Sequence, residues 1–272
     1  NFIQYLGSNF NLNQNFKYNK YNKINFKNIN IFYEDGVSLS FDDEKNSINI
    51  RQELIGAKIF FINGELIDTT INFEGFSLNN SDQKIPSKGF PINETGLTGC
   101  LSLINASVKN LSINVSDSTC EDAVNFINSS GDVNNVFINE SISDALDVDF
   151  SNLKFKNIEI KSAKNDCVDV SYGNYKIEKF YSENCGDKAL SVGEKSDLHL
   201  NEIFSNNSKV GIASKDSSTV YIKNSNFYSV GTCLSAYKKK QEFEGGIINF
   251  KNMNCKFNNK KTNFDKFSLI RK

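Results

Sequence analysis

The feature that most limits what this chain can become is an internal repeat of 22 residues. Small residues recur at Cys100, Ala123, Ala145, Cys167, Ala189, Gly211 and Cys233, with spacings of 23, 22, 22, 22, 22 and 22. The next residue is apolar in every copy: Leu101, Val124, Leu146, Val168, Leu190, Ile212 and Leu234. The one after is mostly polar (Ser102, Asn125, Asp147, Asp169, Ser191, Ala213, Ser235), and the following one is mostly apolar again (Leu103, Phe126, Val148, Val170, Val192, Ser214, Ala236). This in-out-in alternation is the period of a β-strand, whose successive side chains point to opposite faces. A second strand keeps the same register. Val133, Phe155, Ile177, Leu200, Ile222 and Phe250 form one apolar column, and Val136, Ile158, Phe180, Ile203, Ser225 and Met253 another. Only the last step is longer, at 28 residues, and the extra six fall between Tyr237 and Ile248. That insertion predicts a loop projecting from one coil, whose run Lys238-Lys239-Lys240 is either a solvated surface or lies over the groove to meet an anionic chain.

A coil of this length, with short strands and Asn, Gly, Ser and Asp at its turns, predicts an all-β fold: a parallel β-helix whose coils stack about 4.8 Å apart. A helical repeat would show a 3.6-residue apolar stripe, and none is present. The regular array covers residues 99–257. Residues 49–98 are strand-like but out of period and are expected to give irregular first coils. Residues 1–48 alternate Asn and Lys with Phe and Ile. They suit a capping segment, because an end coil otherwise leaves a sheet edge open. Residues 258–272 are expected to be a tail.

Composition narrows the function. With 31 Lys and Arg against 32 Asp and Glu, the net charge is −1. That argues against a nucleic-acid protein held by a basic surface. One His excludes sites that need two imidazoles, the common zinc sites among them. No apolar run approaches the ~18 residues of a membrane-spanning helix. The first residue is Asn, which predicts a processed or excerpted chain. The 41 asparagines fit a turn residue used in every coil.

The six cysteines are expected to be free thiols. Cys100, Cys167 and Cys233 share the small-residue column. Cys100 and Cys167 are three coils apart, as are Cys120 and Cys185, which is roughly 14 Å at the interstrand spacing. A disulfide needs Cα atoms within about 7 Å.

Chemistry is expected where acids concentrate. In register, Asp122, Asp144, Asp166 and Lys188 form one column. Asn125, Asp147, Asp169 and Ser191 form a second, and Ile127, Asp149, Ser171, Gly193, Lys215 and Tyr237 a third. Carboxylates stacked about 4.8 Å apart repel one another, so a cation, a proton or the lysines must compensate. Two functional readings stay open: Asp144, Asp147, Asp166 and Asp169 bind Ca²⁺, which wants six to eight oxygens, or one carboxyl has a raised pKa and works as a general acid. The plain alternative is that these residues cap turns and solvate a face. Glu194, Lys195, Tyr237 and Lys238 follow the acids and are candidates for substrate binding. Tyr172, Tyr175 and Tyr237 are candidate sugar platforms in a chain without Trp. His199, between Leu198 and Leu200, is expected to be a surface residue on another strand.

The coils resemble the right-handed parallel β-helix of the pectin-lyase-like superfamily. The run Ser143-Asp144-Ala145-Leu146-Asp147, Asn165-Asp166-Cys167, Gly186-Asp187-Lys188 and Gly211-Ile212-Ala213-Ser214-Lys215 resembles the active-site ladder of polygalacturonase-type glycoside hydrolases. The corresponding motifs there are Asn-Thr-Asp, Asp-Asp, Gly-His-Gly and Arg-x-Lys. Asp144 and Asp166 match aspartates of that pattern and Lys215 its lysine. Asn165, Lys188 and Ala213 replace an aspartate, the His and the Arg. A further resemblance is to uncharacterised bacterial β-helix domains that accompany spore-coat-kinase-like (CotH-type) modules. It is carried by Leu97-Thr98-Gly99, Cys120-Glu121-Asp122-Ala123, Gly193-Glu194-Lys195-Ser196 and Ala236-Tyr237-Lys238-Lys239.

These resemblances imply an exported or cell-surface protein, a polysaccharide or glycan partner, and fusion to another module upstream. The expected function is action on an extended, acidic glycan, as hydrolase, lyase or epimerase. Asp144, Asp147, Asp166, Asp169, Lys188 and Lys215 would carry it, with Ca²⁺ as the one expected cofactor. The alternative is a non-catalytic carbohydrate-binding or structural cell-surface module.

Overall fold

The computed structural model describes residues 21–76 and 96–272. They form a parallel β-solenoid of about 9 turns, with no helix among the described residues. The repeat columns are the columns of the fold. In β10 (Asp144–Asp149), Leu146 pairs with Val124 of β8 (Asp122–Ile127) and with Val168 of β12 (Val168–Ser171). In β11 (Asn152–Ile160), Phe155 pairs with Val133 of β9 (Ser130–Ile138) and Ile177 of β13 (Asn174–Gly193). The same parallel register continues through β14 (Asp197–Lys215), β15 (Thr219–Tyr237) and β16 (Ile247–Phe264). Every second residue of these strands enters a continuous core whose floor is the small-residue column; Cys100, Ala123, Ala145, Cys167, Ala189 and Cys233 are fully buried there.

The first coil is β5 (Ile59–Ile67) with β6 (Thr70–Glu74), stacked in parallel on β7 (Gly99–Ser116). Its outer edge is covered by antiparallel hairpins rather than by another coil. β1 (Asn22–Phe26) pairs with β2 (Ile29–Tyr33), which lies antiparallel on β5. β3 (Val37–Asp42) pairs with β4 (Ser47–Gln52), which runs parallel to β6. Alternation in β5 sends Ile59 and Phe61 inward and Phe60 and Ile62 outward. The outward pair joins Phe32, Leu97, Ile104 and Ile127 in a second apolar cluster outside the solenoid.

The corner after the outer strand is left-handed in coil after coil. Asn63, Asn105, Asn128, Phe150, Tyr172, Glu194 and Asp216 occupy it, with φ between 48° and 55°. Asparagine tolerates this conformation best among side-chain-bearing residues. It also ties neighbouring coils: the Asn128 amide donates to Asn105 Oδ1 at 2.6 Å, and Asn105 to Asn63 Oδ1 at 2.9 Å. Similar amide ladders join Asn114, Asn72 and Asn49, and Asn207 with Asn184.

The cysteines correct the expectation of free thiols. Cys100–Cys120, Cys167–Cys185 and Cys233–Cys255 are disulfides, with Cα separations of 5.3, 5.4 and 6.3 Å. The chain returns to its starting point after one circuit. A cysteine 18, 20 or 22 residues downstream of the small-residue column therefore faces it across the interior. Comparing cysteines only within a column overlooked this cross-coil approach. Closing a loop of this length stabilises a fold by roughly 3 kcal/mol, and such bonds persist in oxidising compartments.

The inserted loop does not simply project. It folds back over the preceding coils. The backbone N–H groups of Lys239 and Lys240 both donate to Asp216 Oδ1, at 2.7 and 2.8 Å. Phe243 is buried and packs edge-on against Tyr172, with ring centroids 6.1 Å apart.

Candidate functional site

One outer face changes character along the solenoid. Its first column, fixed by register, runs Phe60, Ser102, Asn125, Asp147, Asp169, Ser191, Ala213, Ser235. The parallel column runs Ile62, Ile104, Ile127, Asp149, Ser171, Gly193, then Lys215 and Tyr237. The face is apolar over the first coils, acidic in the middle, and carries cations after that.

The acids are held by donors from neighbouring coils. Asp144 Oδ1 accepts from the Asn165 amide at 2.7 Å and from the Asp166 N–H at 2.8 Å. Asp166 Oδ1 accepts from the Lys188 N–H at 2.9 Å, and the Lys188 ammonium lies 3.4 Å away while also bonding Asp187. Asp147 Oδ2 accepts from the Asn125 amide at 2.8 Å, and Asp149 accepts from the Ser171 hydroxyl. Lys215 reaches back two coils to Asp169 Oδ2, at 3.5 Å. It can do so because residue 193 is glycine: a Cβ there would lie 2.7 Å from Lys215 Cε.

Desolvation dominates the electrostatics. Burial pushes Asp122 up to about 8, with the neighbouring Asp144, Glu121 and Asp149 charges adding to it. Burial also raises Asp169 to about 7 against the opposing pull of Lys215, and Asp144 to about 6 against its hydrogen bond from Asp166. Asp147 is driven well above the usual carboxylate range by burial and then by Asp149, Asp122 and Asp169. Asp149 is raised by burial, although hydrogen bonds from Ser171, Asp147 and Asn125 oppose the shift. Burial lowers Lys188 and Lys215, but the carboxylates around them outweigh it and both stay above the ordinary lysine value. Among the described residues, Ser102 Oγ, Asp122 Oδ2, Asn125 Oδ1, Asp169 Oδ1, Ser191 Oγ and Asp216 Oδ2 are buried with no hydrogen-bond partner.

The corners beside the acids depart from the asparagine rule. Directly after Asp149 and Ser171 the left-handed position holds Phe150 and Tyr172, whose rings stack at 4.9 Å. Bulky side chains are uncommon at positive φ, and such strain collects at functional sites. The returning loop adds Phe243, a Lys195 ammonium 5.9 Å over its ring, and a Lys240–Glu194 ion pair at 2.7 Å. A strip of aromatic rings therefore borders the acidic stretch.

The structure brings Asp144, Asp147, Asp166, Asp169, Lys188 and Lys215 onto this face, with Glu194 and Lys195 at its corner. Half-buried Tyr237 completes the lysine end, where the charges of Lys188 and Lys215 act on its hydroxyl. Lys238 is not brought in: its N–H donates to Asp265 and its ammonium lies over Phe267. Tyr175 is no platform either, because its buried hydroxyl lies 2.7 Å from the Ser171 carbonyl, inside the coil. His199 is exposed on another face, stacked on Tyr221 and paired with Asp197. The four aspartates expected to hold Ca²⁺ each commit an oxygen to a protein donor. Among the described residues no three His, Cys, Asp or Glu side chains converge as metal ligands.

Sequence reasoning placed Asp122, Asp149 and Asp187 in the ladder but did not choose them, and it missed Phe150 and Phe243. The available signal for Phe150 was the column Asn63, Asn105, Asn128, broken by Phe150 and Tyr172. No protein-family model, curated protein or solved structure matches the chain.

Proposed function

We propose that this face is the acid–base site of a glycan-active β-solenoid, a hydrolase whose key groups are Asp147 and Asp169. One observation carries the reading. Desolvated carboxyls and strained aromatic corners depart from the repeat in the same two coils, those of Asp147–Phe150 and Asp169–Tyr172. Asp147 and Asp169 are register partners on adjacent strands. Strands are about 4.8 Å apart, near the ~5 Å carboxyl separation of retaining glycosidases. Their environments differ, and such a difference assigns acid and base roles. Asp147 has no lysine at ion-pair distance among the described residues and keeps its proton, so it is the proton donor to the leaving oxygen. Asp169 is drawn toward ionisation by Lys215 and supplies the carboxylate. Phe150 and Tyr172 would give a sugar ring an apolar border, and a row of stacked strands suits an extended chain. The pectin-lyase-like resemblance of the sequence supports the same reading.

The test is product formation from a panel of polysaccharides by the wild-type chain and by Asp147→Asn and Asp169→Asn. Each substitution should reduce turnover by roughly 100-fold or more, the scale of general acid–base catalysis, while binding persists. Binding by the wild type without any product would leave a carbohydrate-binding module. Neither binding nor product would sink the proposal.

A further inference from the structure

The lysines of this face are already engaged: the Lys195 ammonium lies over the Phe243 ring, and the others meet carboxylates. Lys188 pairs with Asp166 and Asp187, Lys215 with Asp169, and Lys240 with Glu194. Asp122, Asp144, Asp147 and Asp149 have no lysine or arginine within ion-pair distance among the described residues. Lys58, which feels the charge of Asp122, donates its ammonium to the Leu97 carbonyl instead. Of these acids Asp122 is the most enclosed, at 3% exposed, and Asn125, the register partner of Asp147, is 1% exposed. Asp122 Oδ2 and Asn125 Oδ1 are acceptors without a donor, and the Asn125 amide is directed at Asp147. A buried acceptor without a donor is destabilising, and a carboxylate more so. What this stretch lacks is hydrogens and positive charge.

A uronate would bring a further carboxylate to a place where every cation is already engaged. A neutral hydroxyl would bring one donor and no charge. An ammonium brings three donors and the missing charge. Resting on the glycan reading above, we propose that the sugar bound over Asp144 and Asp149 carries a free amino group, so that the substrate is a glucosamine-type polymer rather than an acidic one. The geometry of the ladder supports the order of subsites: the amine lies at the unpaired acids, beside the Asp147–Asp169 pair that would act on the adjoining linkage.

The experiment is calorimetric titration of the full chain with three oligosaccharides of equal length: a glucosamine oligomer, its fully N-acetylated counterpart and an oligogalacturonate. Spermidine and Ca²⁺ are titrated alongside as cations without a sugar. The amine-bearing oligomer should bind at least about tenfold more tightly than the acetylated one, a difference of ~1.4 kcal/mol, and added salt should weaken it. The oligogalacturonate should give no measurable binding. Asp144→Asn and Asp149→Asn should each remove the preference for the amine, while Tyr221→Ala, on another face, should keep it. Equal affinity for the amine and its acetylated form would overturn the inference and leave the glycan reading standing. Tighter binding of the galacturonate would do the same. Spermidine or Ca²⁺ binding as tightly as the glucosamine oligomer would overturn both, because the face would then be a cation site indifferent to sugar.

Discussion

An asparagine column in the first coils and an aspartate column in the coils that follow stack at the same spacing, yet they reach opposite electrostatic states. From Asn128 to Asn105 to Asn63, each amide nitrogen donates to the oxygen of the coil before, so every link supplies what the next one needs. The column Asn114, Asn72, Asn49 works the same way, at 2.8 and 2.9 Å. An ionised carboxylate can only accept. Asp147 and Asp169 therefore cannot bond each other unless one holds a proton, and both are raised above the ordinary range chiefly by burial. One atom per side chain, nitrogen or oxygen, turns a self-satisfying seam into one that demands protons or cations. The corners follow the same division. Asparagine holds the left-handed position where the seam is structural, and Phe150 and Tyr172 hold it beside the acids.

The largest expected effect tests the scaffold that both columns share. The double replacement Cys167→Ser with Cys185→Ser should destabilise the acid-bearing coil by about 3 kcal/mol. Hydrogen exchange should then rise first around Asp166 and Asp169, while the Asn63–Asn105–Asn128 corners stay protected. Uniform loss of protection would mean that the coils are not separable units.

The next effect is pH dependence. The raised carboxyls of Asp122, Asp147, Asp149 and Asp169 keep protons in the folded state that an unfolded chain releases near 3.8. The folded state then binds more protons, so stability falls as pH rises. Their contribution is fully present below about pH 4 and is lost as pH rises toward 8, where Asp122 ionises. The melting temperature should drop across that window. Asp122→Asn or Asp147→Asn should flatten the slope, because an amide has no proton to lose. At roughly 2–4 °C per kcal/mol for a chain of this size, thermal scans at several pH values resolve the difference.

A smaller effect comes from the reverse exchange. Asn128→Asp places an acceptor where Asn105 needs a donor. It should cost about 1–2 kcal/mol at neutral pH, part of which returns in acid when the carboxyl can donate. No loss at neutral pH would undo the contrast between the two columns. The smallest stability effect is expected for Phe150→Asn and Tyr172→Asn. Relief of about 1 kcal/mol or more of backbone strain offsets the lost ring stacking of about 0.5–1.5 kcal/mol. Melting should scarcely move while glycan affinity falls.

Much of this was legible in the sequence because a stacked fold repeats its register. Once Leu146, Val124 and Val168 are aligned, Asn125, Asp147 and Asp169 must share a column, and they do. Features that depend on the third dimension of a coil were not legible. Cys167 and Cys185 meet across the interior rather than along a column. The loop after Tyr237 folds back because Asp216 captures two of its N–H groups, and no periodicity announces that capture. Gly193 looks like one more turn glycine until Lys215 is seen lying across it.

The central claim is that the aspartate column holds protons near neutral pH. Carboxyl carbon NMR of the full chain, labelled at aspartate and titrated from pH 3 to 9, measures this directly, with Asp122→Asn, Asp147→Asn and Asp169→Asn assigning the signals. The account predicts that Asp169 titrates near 7 and Asp122 near 8, with Asp147 well above the usual range. Titration of all three close to 3.8, the ordinary aspartate value, would contradict it.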